Sequence, residues 1–185
     1  MDDGELAARC LSGDETAIRA FVEQFQGYVF AICLRRLQNR EDAEDVAQQS
    51  LVRAIRHLGN WDSKRPLRPW VLTIAVNRCR THLTQRKQNT QTFDPAIDTP
   101  AQNGRLGTLD LAEELQLALG KIRDEYRTCF ILFHEQELSI TRVAEIMKCP
   151  EGTVKTWLHR ARRELAELLI DRGVVTKDGY ELHRI

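Results

Sequence analysis

The most specific chemical pattern in the sequence lies in residues 138–165, LSITRVAEIMKCPEGTVKTWLHRARREL. From position 154 onward, Val154, Leu158, Ala161, Leu165 and Leu168 recur at helical spacing and make one inward stripe. Lys155, Thr156, His159, Arg160, Arg162 and Arg163 then fall outside the stripe or beside it. A short helix beginning at about Ile140 with Ser139 as its cap, a turn at Lys148-Cys149, and a longer helix opened by Pro150 make a helix-turn-helix pattern. A helix that enters a major groove needs this division of faces. Its N-terminal part offers donors to base edges, and its cations and positive dipole end neutralise phosphates. On charge alone the same face reads as an ordinary solvated surface. The turn, the Pro start, the small residues and the absence of acids from 152 to 163 together favour DNA.

A second grouping spans residues 59–87. Aromatics (Trp61, Trp70), polar side chains (Asn60, Thr73, Asn77) and cations occur together there. Single strands are bound by this mixture: bases stack on aromatic or guanidinium planes, amides read base edges, and Lys or Arg follow the backbone. For Trp70 a place in the core is an equal alternative, whereas Trp61 stands in a polar loop. A third grouping is the helix expected over 40–58, capped by Asn39. Ala43, Ala47, Leu51, Ala54, Ile55 and Leu58 share its inner face; Asp45, Gln48, Gln49, Val52 and Arg56 share the outer one. That outer face is acidic to mixed. It suits a protein partner with basic groups better than a phosphate backbone, although a plain solvated face is the simpler reading.

Arrangements for catalysis are missing. There is no phosphate-binding Gly-rich loop with Lys, no H-E-x-x-H and no G-x-S-x-G, and the five His are isolated. Cys10, Cys33, Cys79, Cys129 and Cys149 are scattered singly with no zinc spacing, which reads as buried free thiols. The sequence therefore points to neither an enzyme nor a metal or cofactor site. No signal-peptide pattern opens the chain, and no run approaches the ~20 apolar residues of a membrane span.

These faces need helices to carry them, and the periodicity supplies an all-α organisation. Residues 5–87 are periodic, 88–108 have the Gln, Asn, Thr, Pro and Gly composition of a linker, 109–170 are periodic again, and 171–185 form a tail. Helices are expected over 15–37 (whole or broken near Gly27), 40–58, 69–87, 109–122, 124–137, 140–147 and 150–170, with a short strand conceivable over 173–182. A net charge of zero over 185 residues argues against a nucleic-acid binder only as an average. Seven Lys or Arg and no acid lie between 63 and 92, and four Lys or Arg and no acid between 152 and 163.

Three segments, in this order, resemble sigma factors of the extracytoplasmic-function (ECF) group. NREDAEDVAQQSLVRAIRHL is similar to their core-binding region 2.2. WDSKRPLRPWVLTIAVNRCRTHLTQRK is similar to regions 2.3 and 2.4, and LSITRVAEIMKCPEGTVKTWLHRARREL to region 4.2. The resemblance implies a non-enzymatic initiation factor that binds RNA polymerase core and reads minus-10 and minus-35 elements. In it Asp45, Val46, Gln48, Gln49 and Val52 would face the β′ clamp helices. Asn60, Trp61, Asp62, Ser63 and Lys64 would capture an extruded minus-10 base, with Trp70, Asn77, Arg78 and Arg80 along the opened strand. Lys155, Thr156, His159, Arg160, Arg162 and Arg163 would serve the minus-35 groove. The resemblance further implies that the β flap contacts the second domain and that an anti-sigma factor is a partner. It also implies a cytoplasmic monomer, held near the membrane when such a factor captures it.

The chain departs from the family pattern at Gln49, at Trp157 and at Arg123-Asp124, and the likeness does not cover the tail. The competing reading is an autonomous helix-turn-helix regulator. It explains the second periodic block, leaves the first unexplained, and would ordinarily need a dimer on a palindrome.

Overall fold

A computed structural model describes residues 2–91 and 111–175, and all regular structure among these residues is helical. The helices are α1 (Asp3–Leu11), α2 (Glu15–Leu37), α3 (Arg40–Arg56), α4 (Leu67–Gln91), α5 (Leu111–Lys121), α6 (Asp124–Phe130), α7 (Ile140–Met147) and α8 (Glu151–Asp171).

Short polar side chains start several of them. Asp2 accepts a hydrogen bond from the Glu5 amide at 2.7 Å, and Asp14 accepts from the amides of Thr16 at 2.9 Å and Ala17 at 3.3 Å. The expected caps Asn39 and Ser139 accept from the Asp42 amide at 2.9 Å and the Arg142 amide at 3.3 Å. The Thr16 hydroxyl and the Arg9 guanidinium, both bonded to Asp14, hold its carboxyl far below the usual carboxylate range. Gln38, left-handed at φ 58°, stops α2 and turns the chain into α3.

The first helical group is a layer of α2, α3 and α4 with α1 across one end. Phe21, Phe25, Val29 and Ile32 of α2 meet the inner faces of α3 and α4, and the Phe21 and Phe25 rings stand 4.8 Å apart. Ala43, Ala47, Leu51 and Ala54 of α3 and Leu72, Ala75, Val76 and Cys79 of α4 are buried as their spacing requires. In the second group, Ala118, Leu119, Ile122 and Tyr126 pack on Ala161, Leu165 and Leu169 of α8. Arg172 grips the Glu114 carboxylate, joining the end of α8 to α5.

Of the two alternatives for residues 15–37, the whole helix is the one observed: α2 runs unbroken through Gly27. Two elements differ from expectation. The single helix expected over 124–137 is α6 followed by a π-helical turn, Ile131–Glu135, and Glu137 is left-handed at φ 54°. Ile131, Leu132 and Leu138 are all buried around this turn. Finally, α4 continues to Gln91, into the expected linker. The rest of the 88–108 linker and most of the 173–182 strand expectation lie outside the described residues.

Burial pushes the Cys129 thiol up to about 12, and Cys33 and Cys79 lie in the core with sulfurs 3.6 Å apart. Because Phe25 is fully enclosed, Phe25→Ala should lower unfolding free energy by ~3–5 kcal/mol, read from the midpoint shift in urea.

Candidate DNA and polymerase surfaces

α8 is set by the turn before it. Lys148 is left-handed at φ 56°, and the Cys149 amide donates to the Ala144 carbonyl at 3.1 Å, closing α7. Pro150 leads into α8, and its carbonyl accepts from the Thr153 amide at 2.9 Å. The Thr141 hydroxyl donates to Glu151 at 2.7 Å, tying the two helices together. Val154, Leu158, Ala161 and Leu165 are buried, so the helix cannot rotate.

That leaves Lys155, Thr156, His159, Arg160 and Arg163 exposed. Arg160 donates to the Tyr126 hydroxyl at 3.0 Å, which orients its guanidinium. Arg162 sits differently. It is half-buried, its Nε lies 3.3 Å from His134 Nε2, and its guanidinium lies 6.0 Å from the Phe133 ring centre. Burial first and Arg162 second hold the His134 imidazole below its usual pKa. Arg162 thus braces α8 against the π-helical turn. Trp157 is also half-buried and packs into both apolar clusters, as a wedge between them.

The loop between α3 and α4 is locked from three sides. Leu58–Asn60 makes a single 3-10 turn with Leu58 buried. The Asp62 carboxylate accepts from the Lys64 amide at 3.0 Å, and its carbonyl accepts from the Arg65 amide at 2.9 Å. The Leu67 amide, first of α4, donates to Asp3 Oδ2 of α1 at 2.8 Å. Asp3 was not singled out from sequence. Its partner is 64 positions away, and only the packing of α1 brings the two together.

This geometry leaves Asn60, Asp62, Ser63 and Lys64 exposed. Trp61 is half-buried against the core, and its indole N–H has no acceptor among the described residues. Trp70 is likewise half-buried at the edge of the core, with Asn77 and Arg78 half-buried and Arg80 exposed further along α4.

On α3, Asp45, Gln48 and Gln49 are exposed, and Val52 stands 47% exposed as an apolar point among them. Val46 requires a correction. It is 2% exposed and belongs to the core beside Ala43 and Ala47, about 100° round the helix from Asp45, so it cannot present a side chain to a partner there. Gln49 accepts from the Arg78 guanidinium, which links this face to α4. No helix among the described residues is long and apolar enough to cross a membrane, and no cluster of metal-ligating side chains occurs among them.

Removing the Asp3 carboxylate leaves the Leu67 amide without its partner. Asp3→Ala should cost about 1 kcal/mol and speed amide exchange at Leu67, measured by hydrogen exchange.

Known families match both helical groups. Residues 21–89 match Sigma-70 region 2, and residues 112–165 match Sigma-70 region 4. The chain is 29% identical over 172 residues to the ECF RNA polymerase sigma factor SigW of Bacillus subtilis, covering 86% of this chain and 92% of that protein. It is 32% identical over 159 residues to the RNA polymerase sigma factor YlaC of the same organism, covering 82% and 88%. Among solved structures, the sigma factor RpoE of Bartonella quintana, in complex with the anti-sigma factor NepR, superposes with a TM-score of 0.72. Its identity is 25%, over 82% of this chain and 96% of that one. With both sigma regions matched in order on the helices that carry the exposed faces, the chain belongs to the ECF group of RNA polymerase sigma factors and directs transcription initiation.

Proposed function

We propose that three surfaces divide the work of this sigma factor. Asp45, Gln48, Gln49 and Val52 dock on the β′ clamp helices of core polymerase. The 60–64 loop with Trp61, Trp70, Asn77, Arg78 and Arg80 takes the opened minus-10 strand. Lys155, Thr156, His159, Arg160 and Arg163 meet the minus-35 groove, while Arg162 holds α8 in place. The second helical group takes the β flap. An anti-sigma factor is a further partner of this reading, supported by the RpoE–NepR complex.

The observation that carries the proposal is the exposed row on α8. Lys155, Thr156 and His159 lie in its N-terminal half, opposite the buried Val154 and Leu158. A helix entering a major groove presents these positions to base edges, and the exposed Arg163 further along suits phosphates. The autonomous-regulator alternative gains no comparable support, since it has no use for the outer faces of α3 and α4.

Reconstituted transcription with core enzyme on genomic fragments should give discrete start sites, whereas the protein alone should leave no symmetric footprint. Lys155→Ala should weaken discrimination at one minus-35 position by ~1–3 kcal/mol, measured by competition among single-base promoter variants. An unchanged preference would remove Lys155 from the groove. Asp45→Arg should abolish co-purification with core, and retained binding would move the β′ contact off this face.

A further inference from the structure

Three arginines follow the base-reading row of α8, and each is held differently. Arg163 lies 3.7 Å from Glu167, one turn further on, so an acid offsets part of its charge. Arg162 lies against His134 and the Phe133 ring. Arg160 is exposed, and its Nη1 donates to the Tyr126 hydroxyl at 3.0 Å. Among the described residues no carboxylate forms an ion pair with it.

Tyr126 is a rigid holder. It is 4% exposed, and its ring packs with Ala161 and Leu165 in the second apolar cluster. The Arg123 guanidinium lies over the same ring, 5.7 Å from its centre. Arg127, the next residue, donates to the carbonyls of Leu119, Gly120 and Ile122 at 2.6, 2.9 and 3.0 Å, tying the first turn of α6 to the end of α5. Only the polar tip of the ring is therefore left to meet Arg160. Both residues belong to the second helical group, so their bond does not cross the seam where Arg36 of the first group meets Asp124.

The chemistry of the holder matters. A carboxylate would fix a guanidinium and also cancel its charge, whereas a phenol hydroxyl fixes it and leaves the charge whole. The bond uses one of five guanidinium donors, and the others stay available. Arginine in water has many rotamers, and a contact that orders it loses part of its free energy to that ordering. We propose that Tyr126 is a positioning residue for promoter binding, whose hydroxyl holds the Arg160 guanidinium ready for an acceptor on minus-35 DNA. Tyr126 acts through Arg160 and needs no DNA contact of its own.

The proposal rests on the α8 groove reading given above, and its test separates the two. Tyr126→Phe keeps the packed ring and removes the hydroxyl. The full chain with core polymerase is titrated on a promoter fragment recovered by the reconstituted transcription. Tyr126→Phe should weaken binding about five-fold with an unchanged circular dichroism spectrum. In an Arg160→Ala background the same substitution should cost nothing more, because no guanidinium remains to be held. Without DNA, nitrogen-15 relaxation at Arg160 Nε should report a rigid group in the wild type and a mobile one in Tyr126→Phe. Wild-type binding by Arg160→Ala removes Arg160 from the DNA and takes the groove reading of that residue with it. Weakened Arg160→Ala beside an unaffected Tyr126→Phe overturns the positioning role alone, as does an equal loss from Tyr126→Phe with and without Arg160. A mobile Arg160 Nε in the wild type overturns it as well, and that measurement decides the matter even if Tyr126→Phe does not fold.

Discussion

A guanidinium with 1% of its surface exposed cannot remain unpaired, and the pairing of Arg36 organises much of this molecule. One of its nitrogens is fixed on the Val76 carbonyl inside the first helical group, which aims the side chain toward the second. The other two present a fork to Asp124, whose carboxylate matches it. Arg127 then closes the same corner, collecting the carbonyls of Leu119, Gly120 and Ile122 on its own side and that of Arg36 across the seam. Burial lowers the pKa of the Arg127 guanidinium, and these carbonyls satisfy its donors. The corner holds the first residue of α6, Asp124, against α2. Asp124 supplies the acid on which the corner depends.

Around this corner the apolar core is continuous. One cluster runs from Leu6 through the faces of α2, α3 and α4 to Ile131, Val143 and Leu158 of the second group. The family's division into two regions is therefore a division of sequence and exposed chemistry more than of packing in this state. Apolar burial supplies non-directional cohesion, and the arginine contacts choose one register among the many such burial would allow. The same arrangement explains how a protein with zero net charge carries cation-rich faces. Acids are spent at the seam and on α3, and the outer faces of α4 and α8 are left with few.

The three exposed surfaces are held by different devices. On α8 the buried inner stripe fixes the face, with Arg162 and the Thr141–Glu151 hydrogen bond bracing it. The loop before α4 is held by local hydrogen bonds within Asp62–Arg65 and by one long-range bond from Asp3. On α3 the exposed row is the residue of packing its opposite face, which is why Val46, adjacent in sequence to Asp45, ends in the core.

The sequence by itself determined most of the helices, their inner faces and two of their caps, because the 3.6-residue period and the chemistry of Asn39 and Ser139 act within a few positions of the chain. The row Lys155, Thr156, His159 was legible for the same reason. Only the tertiary structure decided that Trp61 packs on the core, that Trp157 is a wedge between clusters, that Arg162 braces the π-helical turn, and that Asp3 holds the start of α4. It also decided that Arg36, an unremarked cation at the end of a helix, is the buried link between the two groups. Each of these depends on a partner that sequence spacing does not reveal. Periodicity tells which way a side chain leaves its own helix, and the fold alone tells what it meets there.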